Sequence, residues 1–334
     1  MKTYFVILIL FLFSVSQAYF GRVNEGQAVF GWVELLQSPR TASLEGAGSA
    51  FASEDLGAAI VNPALLSGEK IGASIFWQSG DLADKQGIVA ISHPFFKNFG
   101  GRMQHTYGVI DNGEVENYNE NGNETGLTSY PISQYYAISA AFPLSHFRVG
   151  ISGRFLWERL SEIEGAQAGM GLSFDWGLLW NSTSARYGFA LVGRHLGVQV
   201  RPFVKNGANG YALSQELAAS AFWRANQNLT WLFECNAPRY SPAVGKLGVE
   251  YRLANPLHIR AGIQRELLDV VRLAKSIFDS DENAPKAGYY RLFSAGAGYK
   301  LADFSFGTLA VDYSYSMLIE GMGSEHRVGL NARF

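Results

Sequence analysis

Apolar and polar residues alternate in many segments of this chain. In each segment the apolar side chains occupy every second position, and polar or small residues occupy the positions between them. A period of two is that of a β-strand with one apolar and one polar face. The clearest segments are 148–157, 244–252, 257–265 and 326–334. The pattern predicts an all-β protein.

The connections between these strands predict how the strands are arranged. We count fourteen candidate strands, and the connections alternate between short ones, such as 96–98 and 144–146, and long polar ones, such as 111–133 and 266–289. Short turns at one end and long loops at the other are typical of outer-membrane barrels, whereas a soluble β-sandwich has no reason to sort its loops. We predict a 14-stranded antiparallel transmembrane β-barrel over residues 68–334, multi-pass in a bacterial outer membrane.

The amino terminus has the features of an export signal. Lys2 precedes an apolar run at 4–15, and Ser16-Gln17-Ala18 is a small-x-small cleavage site. The run is too short to cross a bilayer as a helix, which needs about 20 residues. We expect residues 1–18 to be a signal peptide and the mature chain to begin at Tyr19.

Composition favours the membrane barrel over a soluble exported protein. Charged residues make up 17% of the chain and aromatic residues 14%, whereas an average soluble domain contains about 25% charged residues. A single cysteine, Cys235, cannot form an internal disulfide. The formal net charge of −2 gives no reason to expect a nucleic-acid partner.

Residues 19–67 do not show strand alternation. Small residues dominate 39–66, and a barrel of fourteen strands is wide enough to need filling. We therefore predict that 19–67 form an amino-terminal plug, or hatch, inside the lumen, with a periplasmic tail as the alternative. Asn62, Pro63 and Ala64 are expected to make a sharp turn in it, because proline restricts both its own φ and the residue before it.

The same segment carries a family resemblance. The matching residues are 30–35, 39–42, 46–50, Asp55, 62–66, Tyr107-Gly108 and the acidic loop 112–126. Together they resemble the PorV/PorQ family, with the loop closer to PorQ. The chain departs from the family at 44–47, where Leu-Glu-Gly-Ala stands for the usual Leu-Gly-Gly. Beyond residue 200 the resemblance rests on strand pattern and length.

The resemblance implies both a fold and a function. PorV/PorQ proteins belong to the wider FadL-like superfamily of fatty-acid transporters, whose lumenal hatch carries an Asn-Pro-Ala motif, so fourteen strands and a hatch are expected. The implied function is an outer-membrane subunit of the type IX secretion system. Its partners would be the translocon, attachment-complex proteins and the carboxy-terminal domains of secreted cargo, contacted through the long outer loops.

A FadL-like channel for hydrophobic small molecules is the alternative function. Such a channel would need an apolar lumenal pocket, whereas the predicted inner face carries many charges. We expect these charges to be solvated or ion-paired inside the lumen. The predicted lumen-facing charges are Arg148, Arg154, Arg194, Glu234, Glu250, Arg260, Asp312, Arg327 and Arg333.

An enzyme is the least favoured reading. The six histidines are scattered singly, without a second ligand at metal-binding spacing, and no Gly-x-Ser-x-Gly elbow is present. We therefore predict no catalytic residues, no metal and no cofactor. The terminal Phe334 ends the apolar face of the last strand, and we predict that it acts as the insertion signal for barrel assembly.

Overall fold

The computed structural model describes residues 28–51, 55–81, 85–118, 121–208, 210–254, 256–267, 291–304, 307–318 and 323–334. The expected signal peptide, residues 1–18, lies outside the described residues, as do 19–27 of the predicted plug. Among the residues that are described, no helix has the length and apolar character needed to cross a membrane.

Fourteen strands form one closed antiparallel barrel, which confirms the predicted fold class. Two further short strands, β4 and β5, pair with each other in the connection between β3 and β6. The strands are β1 (Gly72–Gly80), β2 (Lys85–Pro94), β3 (Arg102–Asp111), β4 (Val115–Tyr118), β5 (Glu124–Ser129), β6 (Ile132–Leu144), β7 (Phe147–Arg159), β8 (Gly169–Asn181), β9 (Tyr187–Arg201), β10 (Glu216–Arg224), β11 (Leu229–Pro238), β12 (Val244–Ala254), β13 (Leu257–Glu266), β14 (Arg291–Phe304), β15 (Gly307–Leu318) and β16 (Ser324–Arg333).

The last strand closes the barrel against the first. β1 pairs with β16 from Gly72 opposite Arg333 to Gly80 opposite Glu325. The backbone N–H of Phe334 extends this pairing by donating to the carbonyl of Ile71 over 2.9 Å. Because both edges are paired, no strand of the barrel exposes a row of unbonded backbone groups.

The two faces of the wall have opposite chemistry. Large apolar side chains such as Ile75, Trp77, Ile151 and Ile263 point outward and are exposed, whereas serine, glutamine and charged side chains point inward and are buried. An apolar outside around a polar inside is the arrangement of a transmembrane β-barrel. The protein is therefore a multi-pass outer-membrane barrel.

The two ends of the barrel also differ. Connections such as 145–146, 182–186 and 225–228 lie at one end, which we call the turn end, and 112–131 and 202–215 lie at the other, the loop end. In outer-membrane barrels the short turns face the periplasm and the long loops face outward. The loop 112–131 is not entirely irregular, since it contains the β4–β5 hairpin.

A bulge interrupts the alternation where β8 pairs with β9. Strand pairing shifts between Phe174 and Trp176, and His195 adopts a left-handed backbone conformation with φ of 54°. Both Arg194 and His195 are consequently buried, whereas regular alternation would turn one of them outward. The alternation in the sequence predicts a strand only over 186–195, because the pattern stops at the bulge, whereas the observed β9 continues to Arg201.

The orientation of the wall predicts opposite responses at two consecutive residues of β13. Ile263 is 49% exposed on the outer face, so Ile263→Arg should cost about 2–4 kcal/mol near mid-bilayer. Gln264 lines a polar cavity that also contains Glu34 and Glu216, so Gln264→Arg should fold to nearly the wild-type level. Heat-modifiable gel mobility and urea unfolding in lipid vesicles measure both. Equal destabilisation by the two substitutions would contradict the assigned faces.

Candidate functional site

Residues 28–51 and 55–66, which we call the lumenal segment, pack against the inward side chains of the barrel. Near the loop end, Val29 forms a parallel bridge with Leu213 of the loop after β9. Further on, the carbonyl of Leu56 accepts a hydrogen bond from the Gln104 side chain of β3 over 3.1 Å. The barrel wall thus holds this segment through polar contacts along its length.

The motif Asn62-Pro63-Ala64 forms a tight turn in the lumenal segment. The Asn62 side chain donates to the carbonyl of Ser49 over 2.6 Å and accepts from the N–H of Ala64 over 2.9 Å. A short 3-10 turn follows at Pro63–Leu65. The turn lies so close to the wall that a methyl group at Gly150 or Gly177 would overlap it. Glycine in β7 and β8 is therefore required by this close approach.

Arg194 of β9 fastens the lumenal segment to the wall. Its Nε donates to the carbonyl of Val61 over 2.7 Å, and its Nη2 donates to the hydroxyl of Ser49. The same guanidinium forms ion pairs with Glu216 and Glu234, the latter at 3.0 Å. One buried arginine thus joins two wall carboxylates to two points of the lumenal segment. We call this arrangement the Arg194 latch.

A second network joins the short helix Pro39–Ser43 to strands β12, β13 and β15 of the wall. Arg40 of this helix contacts Glu250 of β12 at 3.0 Å. Glu250 is also 2.6 Å from Arg260, whose Nη1 lies 2.6 Å from Asp312. Three of the predicted lumen-facing charges, Glu250, Arg260 and Asp312, therefore meet in one buried chain of ion pairs. Removing one partner of such a pair costs about 3–5 kcal/mol, because the other charge stays buried and unpaired.

The remaining predicted charges lie apart from these two networks. Arg154 pairs with Asp175 and donates to the carbonyl of Ile60 over 2.6 Å. Arg327 lies 3.0 Å from Glu325. Arg148 and Arg333 are half-buried and belong to neither network. The predicted set is thus distributed around the lumen rather than assembled into one site.

Several partners in these networks were not singled out from the sequence. Arg40 stands in the family-like stretch 39–42, Asp175 lies on the inward parity of β8, and Glu216 begins β10. Asp175 could be identified from the sequence, because the alternation of β8 places it on the inward face. No local pattern indicates that Arg40 and Glu250, which are 210 positions apart, meet.

Asp55 is a buried carboxyl in the lumenal segment. Burial and the nearby Asp312 raise its pKa above the ordinary value for aspartate. The hydroxyl of Ser38 donates to Asp55, the N–H of Gly57 donates over 2.8 Å, and these contacts together with Arg40 act in the opposite direction. Asp55 therefore links Ser38, which precedes the helix Pro39–Ser43, to Gly57, which precedes the helix Ala58–Val61.

One part of the inner surface is apolar. Inward side chains of β1, β2, β3, β6 and β7 form a buried cluster with the lumenal segment and with Leu213 of an outer loop. Its wall members are Phe76, Ile88, Ile110, Tyr135, Ala137 and Leu156, and its lumenal-segment members are Phe30, Val33, Leu36 and Ile60. We call this set the apolar lumenal cluster.

A cavity of about 100 Å³ lies beside the apolar lumenal cluster at the loop end. Val33, Leu36 and Ile60 line one side of it. Charged side chains, including Arg194, Glu216 and Lys246, line the other side. The cavity therefore offers both an apolar and a polar surface, separated from the turn end by the lumenal segment.

Within the described residues, no group of three or more histidine, cysteine, aspartate or glutamate side chains is arranged to hold a metal ion. The buried carboxylates described above face arginines instead.

Comparison with solved structures identifies the fold. The chain is similar to the toluene transporter TodX of Pseudomonas putida, with a TM-score of 0.59 and 13% identity, covering 93% of this chain and 98% of that one. It is also similar to the toluene transporter TbuX of Ralstonia pickettii, with a TM-score of 0.54 and 13% identity, covering 89% and 97%. No protein-family model and no curated protein matches the sequence. The chain therefore shares the barrel fold of these two transporters, and membership of the PorV/PorQ family stays a prediction.

The Arg194 latch predicts that one substitution will loosen the lumenal segment. Arg194→Met leaves Glu216 and Glu234 buried without this partner, at a cost of about 3–5 kcal/mol. We expect larger and more frequent conductance openings in planar bilayers than for the wild type. Arg201→Met, which changes an exposed arginine of the same strand, is the matched control. A folded Arg194→Met barrel with wild-type conductance would show that the latch does not hold the lumen closed.

Proposed function

We propose that this protein is a FadL-like outer-membrane channel for hydrophobic small molecules. The observation that carries the proposal is the apolar lumenal cluster with its adjoining loop-end cavity. The interior of a water-filled porin is polar, so a large apolar patch inside the lumen has a different use. The fold likeness to two toluene transporters supports the same choice, although at 13% identity it concerns the fold alone.

The loop-end cavity is smaller in this structure than a cavity that holds a benzene ring. An enclosed apolar cavity of about 150 Å³ accommodates benzene, and the loop-end cavity measures about 100 Å³. Val33, Leu36 and Ile60 form the apolar side of the cavity. A ring-sized ligand would therefore fit only after the lumenal segment, which forms one side of the cavity, moves.

Passage through the barrel requires the lumenal segment to move. Arg154 and Arg194 hold consecutive carbonyls of that segment, those of Ile60 and Val61. Ile60 and Val61 also line the loop-end cavity. A ligand in the cavity would therefore contact the same two residues that the arginines hold. Ligand binding would in this way displace Ile60 and Val61 from Arg154 and Arg194 and open the lumen.

Uptake measurements test the channel function. Deletion of the gene should lower the uptake of radiolabelled toluene at limiting concentration, and Leu36→Gln should lower it about tenfold, because an apolar ligand would then bury an unpaired amide. Leu160→Gln, which alters an exposed loop residue, serves as the control. Normal toluene uptake after gene deletion would exclude this function.

A scaffold of the type IX secretion system is the second candidate, and a different observation favours it. The β4–β5 hairpin projects apolar side chains into solvent, with Val115 45%, Tyr118 56% and Leu127 58% exposed. Exposed apolar groups that lie together are typical of protein-binding surfaces. In this role the hairpin would contact the translocon, attachment-complex proteins or cargo carboxy-terminal domains, as the PorV/PorQ resemblance implies.

Changes in the hairpin separate the two functions. Val115→Ser with Leu127→Ser should release surface-attached cargo into the medium if the hairpin binds protein partners, because the apolar contact area is lost. Glu116→Ser, on the same strand, is the control. Surface proteomics and immunoblots of the medium measure the distribution. Unchanged cargo attachment, with the barrel at its normal level, would rule out the scaffold.

A further inference from the structure

A second and larger cavity, of about 600 Å³, lies at the turn end. Phe51 of the lumenal segment lines it together with residues of the turns before β9 and β11. Inward side chains of β11, β12 and β13 complete the wall. This turn-end cavity shares no lining residue with the loop-end cavity, so each has its own chemistry.

The turn-end cavity is strongly basic. Arg186, Arg224, Arg252 and His258 line it. Glu250 is the one carboxylate among its described lining residues, and both Arg40 and Arg260 already contact it, at 3.0 and 2.6 Å. The positive charge of the cavity is therefore not balanced by the described part of its own wall.

The protein holds two of these arginines in place. The guanidinium carbon of Arg224 lies 5.1 Å from the ring centroid of Phe51 and 5.8 Å from that of Phe222. Arg252 donates to the carbonyl of Gln227 over 2.6 Å and to the side chain of Asn228 over 3.3 Å. Stacking on a ring leaves the edge of a guanidinium free to donate hydrogen bonds.

The guanidinium groups of Arg186 and Arg224 have hydrogen-bond donors that the described residues do not use. Within the described part of the chain, neither side chain forms an ion pair or a hydrogen bond to another side chain or to the backbone. Guanidinium groups bind carboxylates and phosphates through two parallel hydrogen bonds. Two such groups beside Arg252 match a ligand with more than one anionic group, since a single carboxylate would occupy a single guanidinium.

We propose that the turn-end cavity binds a small organic anion that carries two or more carboxylate or phosphate groups. A volume of about 600 Å³ lies within the roughly 300–1,000 Å³ of ordinary small-molecule sites. The cavity is at the periplasmic end, opposite the loop-end cavity, so this site goes beyond the channel and scaffold functions. Neither of those functions has to hold for the anion to bind.

Calorimetric titration of the full-length barrel in detergent tests the site. Citrate and pyrophosphate are the two probes, and ionic strength is kept constant with potassium chloride so that screening does not change during the titration. We expect saturable binding of at least one probe. Citrate alone would indicate a carboxylate ligand, and pyrophosphate alone a phosphate ligand.

Variants locate the binding. Arg224→Gln and Arg186→Gln should each weaken it about tenfold or more, because each removes a charged hydrogen-bond donor. His258→Arg adds a guanidinium and should tighten it several-fold. Arg201→Gln, at the loop end, should leave it unchanged. Heat-modifiable mobility shows that each variant retains its barrel, and His258→Arg provides a gain of affinity that misfolding cannot mimic.

Three results would overturn the proposal. The first is the absence of saturable heat with both probes. The second is an equal loss of affinity in Arg201→Gln and Arg224→Gln, which would mean that general charge is responsible. The third is Arg224-dependent binding of a penta-glutamate peptide when neither small anion binds, in which case the cavity is a docking surface for an acidic polypeptide.

Discussion

Every backbone N–H and C=O within the hydrocarbon layer must find a partner in the protein, because lipid offers none. In this chain the pairing of β1 with β16 meets that requirement by leaving the sheet without an edge. Closure also determines where each side chain goes. Since strand residues alternate between faces, a closed wall that is apolar toward lipid must collect its polar residues inside.

A lumen lined with charge needs partners of its own, and the lumenal segment provides them. Arg194 and Arg40 show that charges of the wall bind the segment and that charges of the segment bind the wall. Arg194 is a wall residue that binds backbone carbonyls of the segment, and Arg40 is a segment residue that binds a wall carboxylate. Buried charges contribute little net stability compared with apolar packing, but they specify which groups meet. The segment is therefore held in one position by polar contacts and not by apolar packing alone.

The two ends of the lumen have different chemistry, and this difference bears on function. At the loop end Val33, Leu36 and Ile60 present an apolar surface, whereas Arg186 and Arg224 make the turn end basic. The lumenal segment separates the two. The two proposals assign ligands of opposite chemistry to the two ends, an apolar ligand to the outer side and an anion to the periplasmic side. The exposed β4–β5 hairpin is independent of both cavities.

Local patterns along the chain are enough to define the barrel wall. A period of two, short and long connections in alternation, and an apolar closing strand predict a fourteen-stranded barrel, because these signals are local and repeat along the chain. The alternation of apolar and polar positions also places residues such as Arg260 and Asp312 on the inner face. The alternation breaks at the bulge that turns both Arg194 and His195 inward, and the strand predicted there therefore ends before β9 does.

Local patterns do not show which inward groups meet, because those contacts form only when the barrel closes. Arg40 and Glu250 are 210 positions apart, and no periodicity links them. The apolar lumenal cluster was likewise missed, since its six wall members are spread over five strands and look like isolated exceptions to a polar face. Barrel closure brings such residues together across the lumen. Contacts of that range depend on strand number and register, which are properties of the whole sheet and not of any segment.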